Sequence, residues 1–259
     1  MTRIRGRAPA GFRVPGEGFT PPQCAATFPA DARRMADALF AQEPFTSRRT
    51  SFNVWGLCPP AAEPGIARPS TGIYRRSPAG ATYDAFGSER YILTFENRAF
   101  RDIAAWAPYE FVTILTNGDT YGGGGLYNVY STAAAHNDWA DYLFVHEFAH
   151  HFAGLADEYY TSDVAYETGG RERPEPWEPN VTALKDPSTL KWRDLVTPGT
   201  PLPTPWDKAE FEKHSLSIQE RRREIRKRNA PEEEMDALFR EQQNFEEKFL
   251  AAMKFGQAV

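Results

Sequence analysis

Two histidines and a glutamate stand at a spacing that metal chemistry demands, in the stretch His146-Glu147-Phe148-Ala149-His150. On a helix, residues four apart lie one turn above each other on the same face, so both imidazoles can reach one Zn²⁺ at about 2.0–2.1 Å. The pattern His-Glu-x-x-His is the arrangement by which a zinc ion activates water, with the glutamate as general base. Here that assigns His146 and His150 as metal ligands and Glu147 as the catalytic base. A catalytic zinc also needs a third protein ligand and an open position. The first carboxylates after the helix are Asp157 and Glu158; Asp157 is favoured, with Glu158 or a later carboxylate as the alternatives. Tyr159 or Tyr160 is a candidate donor to an oxyanion, against the commoner role of an aromatic in a core.

These side chains need a helix that is itself held. Asp138 and Asp141 open one, and its apolar set of Trp139, Tyr142, Leu143, Val145, Phe148, Ala149 and Phe152 is broad enough for burial. Gly154 should end it. Phe111 to Thr116 is a β-branched apolar run closed by Asn117-Gly118, which predicts a central strand covered on both faces. Gly122 to Gly125 followed by Leu126 to Tyr130 reads as a bulged or exposed edge strand, able to bind an extended peptide by strand addition. Upstream, a helix is expected from Asp31 until Pro44, a strand over Phe52 to Leu57, a long loop over residues 59–88 and a short helix over Phe100 to Trp106. Residues 161–205 form a proline-containing excursion, and from Trp206 the chain turns charged and helical, broken at Asn229-Ala230-Pro231. That predicts a helical hairpin whose apolar positions, Met235 to Met253, face the body of the protein.

Composition narrows the classes. With 259 residues, 41 % hydrophobic and 25 % charged, the chain can bury a real core. A net charge of −5 argues against a dedicated nucleic-acid binder, and no apolar run is long enough to span a bilayer. Cys24 and Cys58 can form at most one bridge, and Met1 to Arg7 lacks the apolar core of a signal peptide. Glu147-x-x-His150 has no second copy for a di-iron bundle, and Gly122 to Gly125 lacks the lysine of a phosphate loop. The basic run Arg221 to Arg228 has acidic neighbours, Glu210, Glu212, Glu220 and Glu232 to Glu234, so a solvated helix face is its expected role. His136, His151 and His214 have no spacing that marks them, although His151 could support its ligand neighbour. Asn180-Val181-Thr182 is a formal glycosylation sequon.

The stretch from His146 through Gly154-Leu155-Ala156-Asp157 to Tyr160 resembles the bacterial IgA-peptidase-type zinc metallopeptidases, which are grouped with the metzincins. Similar stretches are Phe52-Asn53-Val54-Trp55, Tyr121 to Gly124, Glu175 to Thr182 and Pro201 to Pro205. The usual metzincin signature ends in a third histidine, where Asp157 stands here. The resemblance implies an α/β (α+β) fold, a twisted mixed sheet with flanking helices and an active-site helix under an edge strand. It implies a catalytic domain over residues 1–205 with a charged hairpin over 206–259, in a chain that stops before the family's methionine turn. It implies a Zn²⁺-dependent endopeptidase acting on a protein or peptide, secreted or at the cell surface. The alternative is a zinc-containing binding module without turnover. Substrate identity does not follow from the family's name.

Overall fold

The computed structural model describes residues 9–157 and 174–253, which fall into two compact units dividing after Gly154. In the first unit five strands form one sheet: β1 (Ala10–Glu17), β2 (Phe52–Leu57), β5 (Phe111–Thr116), β6 (Gly123–Leu126) and β7 (Tyr130–Ala134). The order is β2-β1-β5-β7-β6, with β6 antiparallel to β7 and every other pairing parallel. Two short strands, β3 (Ala81–Thr82) and β4 (Leu93–Thr94), pair separately. Four helices accompany the sheets: α1 (Pro21–Ala26), α2 (Phe28–Phe40), α3 (Asn97–Ala104) and α4 (Ala140–Ala153).

Alternation along the parallel strands sends side chains to two cores, because successive residues point to opposite faces. Phe12, Val14, Leu115 and Ala133 face Met35 and Leu39 of α2 and Leu143, Phe144 and Phe148 of α4. Val112, Ile114 and Tyr130 face Phe100 and Ala104 of α3. Phe144 and Phe148 are completely buried; each contributes about 1.5–3 kcal/mol by leaving water. Phe148 lies 4.8 Å from Phe12 and 5.4 Å from Phe152, ring centre to ring centre. The aromatic set of α4 therefore bolts the helix to the sheet by its inner face and leaves the histidine face outward. Cys24 of α1 and Cys58 beyond β2 form the disulfide.

The sequence expectations hold for the central strand Phe111–Thr116, the strand Phe52–Leu57 and the helix stop at Gly154, which is left-handed with φ 64° and donates its N–H to His150. Three differ. The glycines Gly123 to Gly125 are the edge strand itself, and Tyr127 to Val129 are its turn, with Asn128 at φ 58°. Strand β1 was hidden because its polar Arg13 and Glu17 are buried, which breaks the hydrophobic pattern. Strand β7 was hidden because Ser131 and Thr132 look like loop residues yet are fully buried, with Thr113 and Ser131 hydroxyls bonded at 2.7 Å.

The second unit contains α5 (Lys208–Lys227) and α6 (Glu232–Ala252), joined through Asn229, Ala230 and Pro231. Their own small core is Ile218, Ile225, Met235 and Leu238. The basic run is paired with acids: Arg221 with Glu241, Arg226 with Glu232 and Arg228 with Glu234. No helix among the described residues is long and apolar enough to cross a membrane.

Candidate active site

Helix α4 places Tyr142, His146 and His150 at four-residue intervals on one face. The Nε2 atoms of His146 and His150 are 3.1 Å apart, and the rings are near perpendicular at 88°. Two nitrogens bound to one tetrahedral ion at about 2.0–2.1 Å each would be separated by about 3.3–3.4 Å. The half-buried group His146, Glu147 and His150 brings its ligand atoms within 4.8 Å of one another. Two imidazoles converging beside a carboxylate suit a borderline-soft divalent ion such as zinc, with the carboxylate suited to act as base.

Tyr142, one of the apolar positions of the helix pattern, is instead 57 % exposed and stacks on His146 with planes 28° apart. Its hydroxyl is 3.4 Å from His146 Nδ1. The contact sets a hydroxyl beside Nδ1, while the Nε2 atom of the same ring faces His150. The i, i+4 spacing of Tyr142 and His146 was the available signal.

The strand β6 runs directly beside this helix. A Cβ on Gly125 would come within 2.6 Å of the Glu147 carbonyl oxygen and of His150 Cβ, and one on Gly123 within 2.9 Å of Glu147 Cγ. Only glycine allows the edge strand this close, and the Glu147 side chain is thereby held against the strand's backbone. On the outer side of β6, Gly123 accepts from the Ile92 N–H and donates to Arg90 O. Strand alternation makes Gly125 the next residue whose N–H and C=O point outward. The edge read as open for strand addition is thus already paired at Gly123.

The last turn of α4 is locked to the sheet by His151, which is 1 % exposed. Its Nε2 accepts the Val112 N–H at 3.1 Å, and its Nδ1 donates to Leu126 O at 3.2 Å. Both ring nitrogens are used by backbone, so His151 is a core histidine that ties the end of α4 to the sheet. Burial pushes its pKa down to about 4. At the other end, His136 bonds Asp31 at 2.7 Å, and Arg34 pairs with Asp141 in the first turn of α4.

The structure thus brings together His146, Glu147 and His150. Asp157 lies three residues past Gly154, in the second unit, and Glu158, Tyr159 and Tyr160 lie outside the described residues. A model of the IgA Peptidase M64 family matches residues 10–259. The chain belongs to that family. Membership makes it a peptidase, and the His-Glu-His group on α4 is where the family's chemistry has its candidate residues. No curated protein matches the sequence.

Proposed function

We propose that this IgA Peptidase M64 family member is a zinc-dependent endopeptidase with a metzincin-like catalytic domain over residues 1–205 and a helical hairpin over 206–259. The observation that carries the reading is the convergence of the His146 and His150 Nε2 atoms at 3.1 Å beside Glu147. In the proposal His146, His150 and Asp157 hold the metal. Asp157 is assigned because it is the first carboxylate after the chain leaves α4 at Gly154. The chemistry a bound Zn²⁺ supplies is polarisation of the scissile carbonyl and a pKa of about 7 for its water.

The chain's own residues do the rest. Glu147 accepts the proton of the attacking water and delivers it to the leaving amine. Its position against Gly123 and Gly125 sets the carboxylate beside the strand edge where an extended peptide can add. With Gly123 already paired to the segment 90–92, that addition uses the outward groups of Gly125. The Cys24–Cys58 disulfide supports an exported protein, since such bonds persist in oxidising compartments.

Elemental analysis of the purified protein beside the His146→Ala/His150→Ala variant tests the metal. About one zinc per chain, lost in the variant, is expected; a folded wild type that takes up no zinc overturns the proposal. Zinc retained without cleavage of any member of a peptide library would favour a binding module instead.

A further inference from the structure

The sequon asparagine has a different use. Asn180 Oδ1 accepts the N–H of Ala156 at 2.8 Å, and its Nδ2 donates to the C=O of the same residue at 2.9 Å. A carboxamide is the side chain that offers one donor and one acceptor in a plane, so it can pair both backbone groups of a single residue. Ala156 lies in irregular chain between Gly154 and Asp157, where no helix or strand ladder serves those groups.

Asn180 is itself fixed from both sides. The Lys191 ammonium donates to the carbonyls of Glu178 at 2.6 Å, Val181 at 2.9 Å and Pro176, and it pairs with Glu175 at 3.6 Å. Glu175 Oε2 accepts the Ala183 N–H at 3.1 Å. The loop 175–183 is therefore wrapped around one cation, with Asn180 between two of the gripped carbonyls. Freezing a residue's backbone costs about 1–2 kcal/mol of entropy, and here that cost is met when the second unit folds.

We propose that Asn180 is a positioning residue for Asp157: by pairing both backbone groups of Ala156 it fixes the carboxylate next in the chain before metal arrives, and Lys191 holds Asn180 in place. The inference rests on Asp157 being the third ligand. It gives the stretch Glu175 to Thr182 a role in metal binding rather than in glycan attachment, and Lys191 the role of its internal counter-ion.

Zinc affinity, measured by chelator competition on folded Asn180→Ala, Asn180→Asp, Asp157→Asn and Asn180→Ala/Asp157→Asn proteins, tests it. Loss of a group that orients a ligand costs about 10–100-fold in affinity, so Asn180→Ala should fall in that range. Asn180→Asp should lie between it and the wild type, since its oxygen still accepts the Ala156 N–H but nothing donates to the carbonyl. The double variant should bind as Asp157→Asn does. Weak binding by Asp157→Asn with wild-type affinity in both Asn180 variants would overturn the positioning role while sparing the ligand assignment. Additive losses in the double variant would also overturn it, because Asn180 would then act elsewhere. Wild-type affinity in Asp157→Asn would remove the ligand assignment and this inference with it. If Asn180→Ala fails to fold, Asn180→Asp carries the same comparison.

Discussion

Replacing Gly125 by alanine would drive one methyl group into the helix that carries the site. Its Cβ would sit 2.6 Å from the Glu147 carbonyl oxygen and from His150 Cβ, where ordinary contacts begin at 3.4 Å. Relief therefore requires a displacement of about 0.8 Å (3.4 − 2.6) between β6 and α4. Neither neighbour is the end of a flexible side chain: one is backbone and the other is the root of a proposed ligand. Overpacking of this kind costs about 1–3 kcal/mol, and a misplacement approaching 1 Å at reacting groups costs about 10²-fold in rate. Gly125→Ala should fold with a lowered melting temperature, bind zinc more weakly and lose about two orders of magnitude in kcat/KM on the peptide the wild type cleaves fastest. Gly118→Ala is the control, since its nearest neighbour would be the Tyr83 hydroxyl at 3.3 Å, away from α4. Wild-type zinc affinity and turnover in Gly125→Ala would refute the claim that close approach of β6 positions the site.

Cys24→Ala/Cys58→Ala should lower the unfolding free energy by about 4 kcal/mol, the chain-entropy value for a bridge spanning 34 residues, as read by denaturant titration. His151 makes stability depend on acid. Its folded pKa of about 4 lies below the ordinary 6.5 because burial disfavours the cation, so its contribution is complete above pH 6.5 and is lost as pH falls toward 4. With EDTA present, the wild type should lose up to about 3 kcal/mol more than His151→Gln over that window; parallel pH profiles would contradict the assignment. Tyr142→Phe should keep the stacked ring yet weaken zinc binding several-fold, because the hydroxyl 3.4 Å from His146 Nδ1 is gone, and an isothermal titration reads the change.

The site was legible where chemistry imposes spacing. His146 and His150, four apart, share one face of a helix, and α4 delivers that; glycine is the residue that most readily ends a helix in the left-handed region, and Gly154 does so. The strand Phe111–Thr116 was legible because burial on both faces makes it apolar throughout. What stayed hidden depends on tertiary partners. Arg13 in β1 is buried with its guanidinium 4.5 Å over Trp55, and Thr132 in β7 is buried with its hydroxyl donating to Ile92 O at 2.6 Å. His151 looked like a helper of the neighbouring ligand, and only the positions of Val112 and Leu126 make it a core group. The glycine run was recognised, but the reason for it, a helix pressed against an edge strand, is a property of the fold.

The most direct test of the central claim compares Glu147→Gln with the wild type for zinc content and peptide cleavage in the same preparations. Glutamine keeps the shape of the side chain and removes its basicity, and general-base catalysis is worth about 10²–10⁴-fold. The account predicts one zinc per chain in both proteins and a fall in kcat of that size in the variant. Full turnover by Glu147→Gln would contradict it.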